Sequence, residues 1–334
     1  NAAEAALTGS PLTVRPASSL KQIVDHLQGH TLLPEEPWRT PNLNNHTLHT
    51  HDFSAIRGQM QARRALEIAA AGGHNLIMQG PPGSGKTLLA RSFPSILPGM
   101  TLDEALDVTR IHSIAGMLPS KGLVTERPFR APHHSASMVS LIGGGAMPRP
   151  GEISLAHRGV LFLDELLEFP RTVLESLRQP LEDGTVTVSR AQGSLHFPAR
   201  VMLLGALNPC PCGFMTDPDR SCVCTPLQIN KYRKRLSGPL LDRIDLFLEV
   251  PKVKTDELND GADAEGSTDI RRRVEAARTQ QIARYHALHL TCNGELGSHH
   301  IRRFLNVHPD ASILLRHATE RYRLSARAYF RTIK

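Results

Sequence analysis

A chain of 334 residues is longer than one ordinary core needs, so its length predicts two domains or one large domain with an appendage. Hydrophobic residues at 40% and charged residues at 21% exclude a disordered protein, and aromatics at 4%, with Trp38 the single Trp, require a mainly aliphatic core. The 39 Lys and Arg exceed the 32 Asp and Glu by a formal +7, which suits a polyanionic partner without locating it: residues 301–334 alone hold eight basic groups against Asp310 and Glu320.

Residues 1–50 pass from an Ala-rich start into a Pro- and Asn-rich stretch (Leu33-Pro34-Glu35-Glu36-Pro37, then Thr40-Pro41-Asn42), which reads as the end of an upstream domain and a linker. The first residues carry no Met, no basic start and no apolar stretch. The chain is therefore expected to be a fragment of a longer cytoplasmic protein. No apolar run reaches the ~18 residues of a membrane span. Residues 51–252 carry the strong signals. Arg57–Ala71 has Ala and Leu at helical spacing and ends at Gly72-Gly73. His74–Gln79, Val160–Leu163, Val201–Ala206 and Leu246–Val250 are four candidate buried strands with helical stretches between them, so the core reads as α/β with a parallel sheet. The stretch from Asp256 to Asp269 is acidic and Gly-rich, a loop. Ile270–Leu290 and the stretch from His300 onward are helical without a strand signal, which makes residues 253–334 a small all-helical second domain.

Between the first strand and the next helix stands Gly80-Pro81-Pro82-Gly83-Ser84-Gly85-Lys86-Thr87, followed by Leu88. Glycines at this spacing let backbone N–H groups turn inward around phosphates, and the following helix N-terminus adds its positive dipole. Lys86 then reaches the β and γ oxygens of ATP, and the Thr87 hydroxyl ligates magnesium. The strand Val160–Leu163 delivers Asp164 and Glu165 at its C-terminal edge: Asp164 to hold magnesium, Glu165 to orient and deprotonate an attacking water. Asn208, at the tip of a third strand, suits a sensor of the γ-phosphate that also positions the lytic water, although a lone Asn also caps turns.

Four of the five cysteines crowd into Cys210, Cys212, Cys222 and Cys224, bracketed by Pro209, Pro211 and Gly213. Four thiolates in one loop suit a closed tetrahedral zinc site with a structural role; the bland alternative is four reduced cysteines that bind nothing.

These runs, together with Asp52-Phe53-Ser54-Ala55-Ile56-Arg57-Gly58-Gln59, Ala131-Pro132-His133-His134-Ser135, Leu141-Ile142-Gly143-Gly144-Gly145, Pro150-Gly151-Glu152-Ile153-Ser154-Leu155-Ala156-His157 and Leu240-Leu241-Asp242-Arg243-Ile244-Asp245, resemble the AAA+ ATPases of the magnesium-chelatase-like clade. Within it they resemble the bacterial branch-migration helicases of natural transformation. The resemblance covers roughly residues 50–330 and implies a P-loop AAA+ core with a helical lid, behind a Lon-protease-like domain. It also implies a homo-hexameric ring with ATP between subunits. Ile56, Gly58 and Gln59 would line the adenine pocket. Arg243 resembles an arginine finger, a residue worth roughly 10³–10⁵ in rate, against the alternative of a surface salt-bridge cluster with Asp242 and Asp245. Arg327 resembles the lid arginine called sensor 2, against the alternative of an exposed helix arginine. Two insertions would face a central pore and touch DNA without reading its sequence. One spans Gly122–Pro150, with Arg130, His133, His134 and Gly144. The other is a β-hairpin over Gly184–Ala199, with Ser189 and Arg190 at its tip. The expected activity is ATP-driven branch migration of DNA. A magnesium-chelatase motor subunit and a nucleotide-switched scaffold are the rivals.

Overall fold

The computed structural model describes residues 13–36, 50–118, 122–145, 148–190, 193–253 and 264–334, and the side chains of Ser189, Arg190, Ser298 and Arg302 lie outside that description. The expected linker falls largely within 37–49, also outside it. The chain divides into two compact units, residues 1–47 with 99–127, and residues 48–98 with 128–334. The expected first insertion is thus shared between them, with its Arg127 in one and Pro128 in the other.

In the smaller unit, helix Leu102–Ile114 begins in a capping box: Thr101 Oγ1 accepts from the Glu104 N–H, and the Glu104 carboxylate accepts from the Thr101 N–H. Such a cap contributes about 1 kcal/mol by satisfying donors the helix cannot. Met100, Ala105, Val108 and Leu123 form the apolar cluster of this unit, and Arg127 donates to Glu104 at 2.8 Å.

The larger unit carries nine strands among the described residues: β1 (Leu76–Gln79), β2 (Phe129–Arg130), β3 (Gly143–Gly144), β4 (Arg149–Pro150), β5 (Val160–Leu163), β6 (Thr185–Arg190), β7 (Gly193–Pro198), β8 (Met202–Leu207) and β9 (Leu246–Glu249). Five of them make one parallel sheet in the order β2-β5-β8-β1-β9. Side chains alternate across it. Leu76, Met78, Phe162, Leu204 and Ala206 face a core shared with Phe53, Leu66, Phe93, Ile270 and Val274. Ile77, Leu161, Leu163 and Leu203 face the other way, against Leu166, Phe169, Val173, Leu174 and Ile244. A parallel sheet covered on both faces needs apolar residues at consecutive positions, which is why these strands read as unbroken apolar runs.

The structure adjusts three expectations. β2 joins the sheet unannounced, being only two residues long. β9 is an edge strand with Phe247 62% exposed, not a buried one. Helix Met60–Gly72 starts three residues later than its periodicity suggests, because Gly58 and Gln59 both take left-handed backbone (φ 59° and 53°) that a helix cannot accommodate. The second hairpin forms as expected, with β6 and β7 antiparallel and Val186, Val188 and Phe197 buried at its base. After β9, residues 264–334 are helical: Ser267–Tyr285, Ser298–Phe304, Pro309–Tyr322 and Ala326–Ile333, with Tyr285, Leu296 and Ile301 at the centre of their own cluster.

Candidate nucleotide and metal sites

Open α/β sheets gather ligands at the C-terminal edge of their strands. Here β1 runs into the glycine loop, β5 into Asp164-Glu165 and β8 into Asn208. Gln79 is in register with Leu207, and Leu163 with Gly205, so the three strand tips lie side by side. The Gly80 N–H donates to Leu207 O at 3.2 Å and pins the start of the loop to the neighbouring strand.

Lys86 opens the helix Lys86–Ser92. Its ammonium donates to Gly80 O (2.7 Å), Pro81 O (2.9 Å) and Asn208 Oδ1 (3.4 Å). Burial lowers the Lys86 pKa, since a charge leaves water, and the Asp164 carboxylate pushes back against that shift. Thr87 Oγ1 donates to Asp164 Oδ2 at 2.8 Å, an oxygen pair whose hard donors suit magnesium. Asp164 Oδ1 in turn accepts from the Glu165 N–H at 3.0 Å. Glu165 itself takes left-handed backbone, φ 49° and ψ 45°, a conformation non-glycine residues adopt mainly where the surroundings impose it. Its Oε2 lies 3.1 Å from His134 Nδ1. The His134 ring stands edge-on to Phe169 and 4.0 Å from the ring of His133, which is paired with Ser135 Oγ.

The Ile56–Gln59 turn leans on the same loop. Ile56 is buried, and its carbonyl accepts from Arg63. The Gln59 amide donates to Pro251 O at 2.6 Å and Ser84 O at 3.4 Å. Hydrogen bonds set the charge state of the nearby Asp52. Burial would raise its pKa, but donors from Ser54 and Ser267 outweigh that and bring it down to about 2.

Two residues beyond Asn208 the chain enters the thiol loop. Cys210 Sγ is 3.4 Å from Cys212 Sγ and 3.6 Å from Cys222 Sγ, Cys212 and Cys222 are 3.6 Å apart, and all four sulfurs fall within 4.8 Å of one another. A tetrahedral site with metal–sulfur bonds of about 2.3 Å has edges of about 3.8 Å, so the spacing fits zinc. The N–H groups of Phe214 and Val223 lower the Cys212 thiol to about 6, while Cys222, against the pull of the Cys224 N–H, is pushed up to about 12 by burial and the neighbouring thiols, so Cys212 is the acidic member of the group. Gly213 packs against the phosphate loop: a Cβ there would stand 2.8 Å from Pro82 Cδ.

The residues expected to touch DNA are placed differently from one another. Arg190 pairs with Gly193 at the tip of the β6–β7 hairpin and Ser189 with Ser194, while both side chains lie outside the description. Gly144 pairs with Arg149 in the β3–β4 ribbon. Arg130 is engaged: its guanidinium grips Glu152 with two hydrogen bonds of 2.6 and 2.8 Å, which raise its pKa. This is a structural pairing and not a free cation. His134 pairs with Glu165, and the His133 ring lies beside that of His134 and pairs with Ser135. Arg243 is 7% exposed and donates to Pro239 O and to Glu182; Arg327 donates to the other oxygen of Glu182. Nothing in the sequence singles out Glu182, which stands 61 and 145 positions from its two partners. The pairings Arg130–Glu152 and His134–Glu165 have no motif signal either.

A parallel sheet with a glycine loop, an amide and an acidic pair at the tips of three successive strands, β1, β8 and β5, and a helical domain following, defines a P-loop AAA+ α/β core with a helical C-terminal domain. Residues 52–258 match the family model described as "Magnesium chelatase, subunit ChlI", and residues 264–334 match the model of its C-terminal part. The chain is 44% identical to the competence protein ComM of Haemophilus influenzae over all of its own length and 65% of that relative. It is also 44% identical to YifB of Escherichia coli, over 85% of this chain and 55% of that protein. A magnesium-chelatase 67 kDa subunit of Chlorobaculum parvum shares 29% over 55% of this chain and 28% of its own. The chain belongs to the magnesium-chelatase-like family, in its ComM-like branch, and spans 65% of the length of the ComM relative.

Proposed function

We propose that the chain is the ATP-hydrolysing part of a homo-hexameric DNA motor that drives branch migration during natural transformation. The observation that carries the reading is the joined network at the sheet edge: Lys86 bound to Asn208, Thr87 bound to Asp164, and Asp164 bound to the backbone of Glu165. Lys86 would hold the β and γ phosphates, Thr87 and Asp164 a magnesium ion, and Asn208 the terminal phosphate. Glu165 would take the proton of the attacking water. Arg243 and Arg327 would reach the nucleotide of an adjoining copy, and the hairpin tip with Ser189 and Arg190 would track DNA, joined by Gly144 of the ribbon. The four cysteines would hold zinc as a clip, since four thiolates leave no open position for a substrate. The similarity to a competence protein supports DNA as the partner, and the cytoplasm is the location such a motor would have.

The family description supports a second reading, in which the same motor serves metal insertion into a porphyrin. A scaffold that binds ATP without turnover is a third. ATPase rates with and without branched or single-stranded DNA, alongside Glu165→Gln, separate them. The motor reading expects stimulation by DNA and a loss of roughly 10²–10⁴ in kcat for the variant, with nucleotide binding retained. Hydrolysis indifferent to DNA sinks the DNA motor, and no hydrolysis leaves the scaffold.

A further inference from the structure

Glu182 lies at the end of the short helix Arg178–Asp183 and just before Gly184, where the chain turns into β6. Its two carboxylate oxygens are taken by different guanidiniums, Oε2 by Arg243 and Oε1 by Arg327. Arg243 comes from the segment between helix Gly238–Leu241 and β9, and Arg327 from the first turn of helix Ala326–Ile333. Three elements distant in sequence therefore meet on one acid. Among the described residues neither guanidinium hydrogen-bonds to the phosphate loop of its own chain. The surrounding charges do not replace Glu182: Asp245 is engaged by Arg331 and His74, and the Arg331 guanidinium also donates to Ile244 O.

Two guanidiniums this close repel each other unless an anion sits between them. Glu182 supplies that anion and leaves the trio one positive charge in excess. A terminal phosphate carries more charge than a carboxylate and offers more acceptor oxygens. It can therefore take over the N–H donors that Glu182 holds while the two arginines stay near their places, and donors already in position spare the reorganisation that would otherwise accompany the reaction.

We propose that Glu182 is a positioning residue that keeps Arg243 and Arg327 together as a paired anion clamp, pre-set for the terminal phosphate of a nucleotide bound to an adjoining copy of this chain. Because the helix carrying Glu182 passes through Gly184 directly into β6, a displacement of the hairpin moves the acid that holds both arginines. The clamp thereby links hairpin position to hydrolysis. This rests on the ring-ATPase reading above.

The test is steady-state ATPase kinetics in the presence of DNA for wild type, Glu182→Gln, Glu182→Asp, Arg243→Ala and the double variant Glu182→Gln/Arg243→Ala, with thermal unfolding as a check on folding. Glu182→Gln is expected to lower kcat about tenfold or more while KM for ATP stays within about twofold, and Glu182→Asp to recover part of the loss. In the Arg243→Ala background, Glu182→Gln should cost about twofold at most, because the acid acts through the arginines. A wild-type kcat in Glu182→Gln, or a full multiplicative loss on top of Arg243→Ala, overturns the clamp alone. Wild-type protein that hydrolyses no ATP overturns the ring-ATPase reading, and the clamp with it. If Glu182→Gln does not fold, Glu182→Asp decides: unchanged kinetics in that folded variant, whose shorter side chain cannot span both guanidiniums, also overturns it.

Discussion

Gly80 shows how little room the phosphate loop leaves. A Cβ at this position would stand 2.1 Å from Val250 O and 2.9 Å from Ser84 Oγ. Val250 cannot give way, because its N–H is tied to Gln79 O at 2.7 Å. Gly80→Ala is therefore expected to cost about 1–3 kcal/mol of stability and to weaken nucleotide binding as the loop is displaced. Gly83 is limited differently: the space around it is open, but its φ of 77° strains any larger residue, at about 1–2 kcal/mol. Urea unfolding of both variants with and without ATP checks the distinction. Gly83→Ala losing more than Gly80→Ala would show that space is not what limits the loop. Lys86 illustrates a related economy. The residue is 9% exposed and its ammonium is satisfied by two carbonyls of its own loop and by Asn208, so the buried cation is not left to bear its desolvation alone.

Among the elements, the thiol loop makes the most direct demand on chemistry. Its sulfur spacing predicts close to one zinc per chain on metal analysis, and Cys222→Ser is expected to lose the metal and lower the unfolding temperature. Well under one zinc in the purified wild type removes that assignment. The cluster was legible in the sequence because its four ligands are local. For the same reason the phosphate loop and Asp164-Glu165 were legible: each is a short run at the end of an apolar strand. β1, β5 and β8 were readable because burial on both faces makes their patterns continuous. β2 was not, since a two-residue strand within a three-residue stretch between prolines carries no period, and β9 was misjudged as buried because half of an edge strand can be apolar and still face water. Arg130 and His134 were expected to touch DNA, but their partners, Glu152 and Glu165, lie 22 and 31 positions away and are brought to them only by the fold. Arg243 and Arg327 were singled out by resemblance, while the acid that joins them belongs to no motif.

At the scale of the whole molecule, stability should fall in mild acid through His157. This histidine is 3% exposed, and its Nδ1 accepts the Arg200 N–H at 3.0 Å. Burial, with Arg158 and Arg200 close by, lowers its pKa from 6.5 to about 3. The unfolded chain therefore binds a proton that the folded one refuses. The contribution is complete above pH 6.5 and is lost as pH falls from there toward 3, amounting to a few kcal/mol by order of magnitude. Urea midpoints at pH 7 and pH 4.5 should differ more in wild type than in His157→Gln, and equal slopes would exclude His157 as the source. The C-terminal helical region meets the core at a second charged centre. Glu295 receives Arg158 at 2.9 Å and Arg200 at 3.4 Å, and hydrogen bonds and these arginines hold its pKa down against the effect of burial. No helix among the described residues is long and apolar enough to cross a membrane.

The contact of Gly213 with Pro82 has a practical side. Asn208 and Cys210 are two residues apart, and the turn that follows rests on the phosphate loop, so sulfur chemistry and nucleotide chemistry share a wall. If the loop holds the zinc proposed above, protein with thiols that are partly oxidised or short of metal is expected to keep its sheet and still handle nucleotide poorly. Batches of one purification could then differ in specific activity while looking identical by size and by circular dichroism, and active-site titration against sulfhydryl content would be the way to compare them.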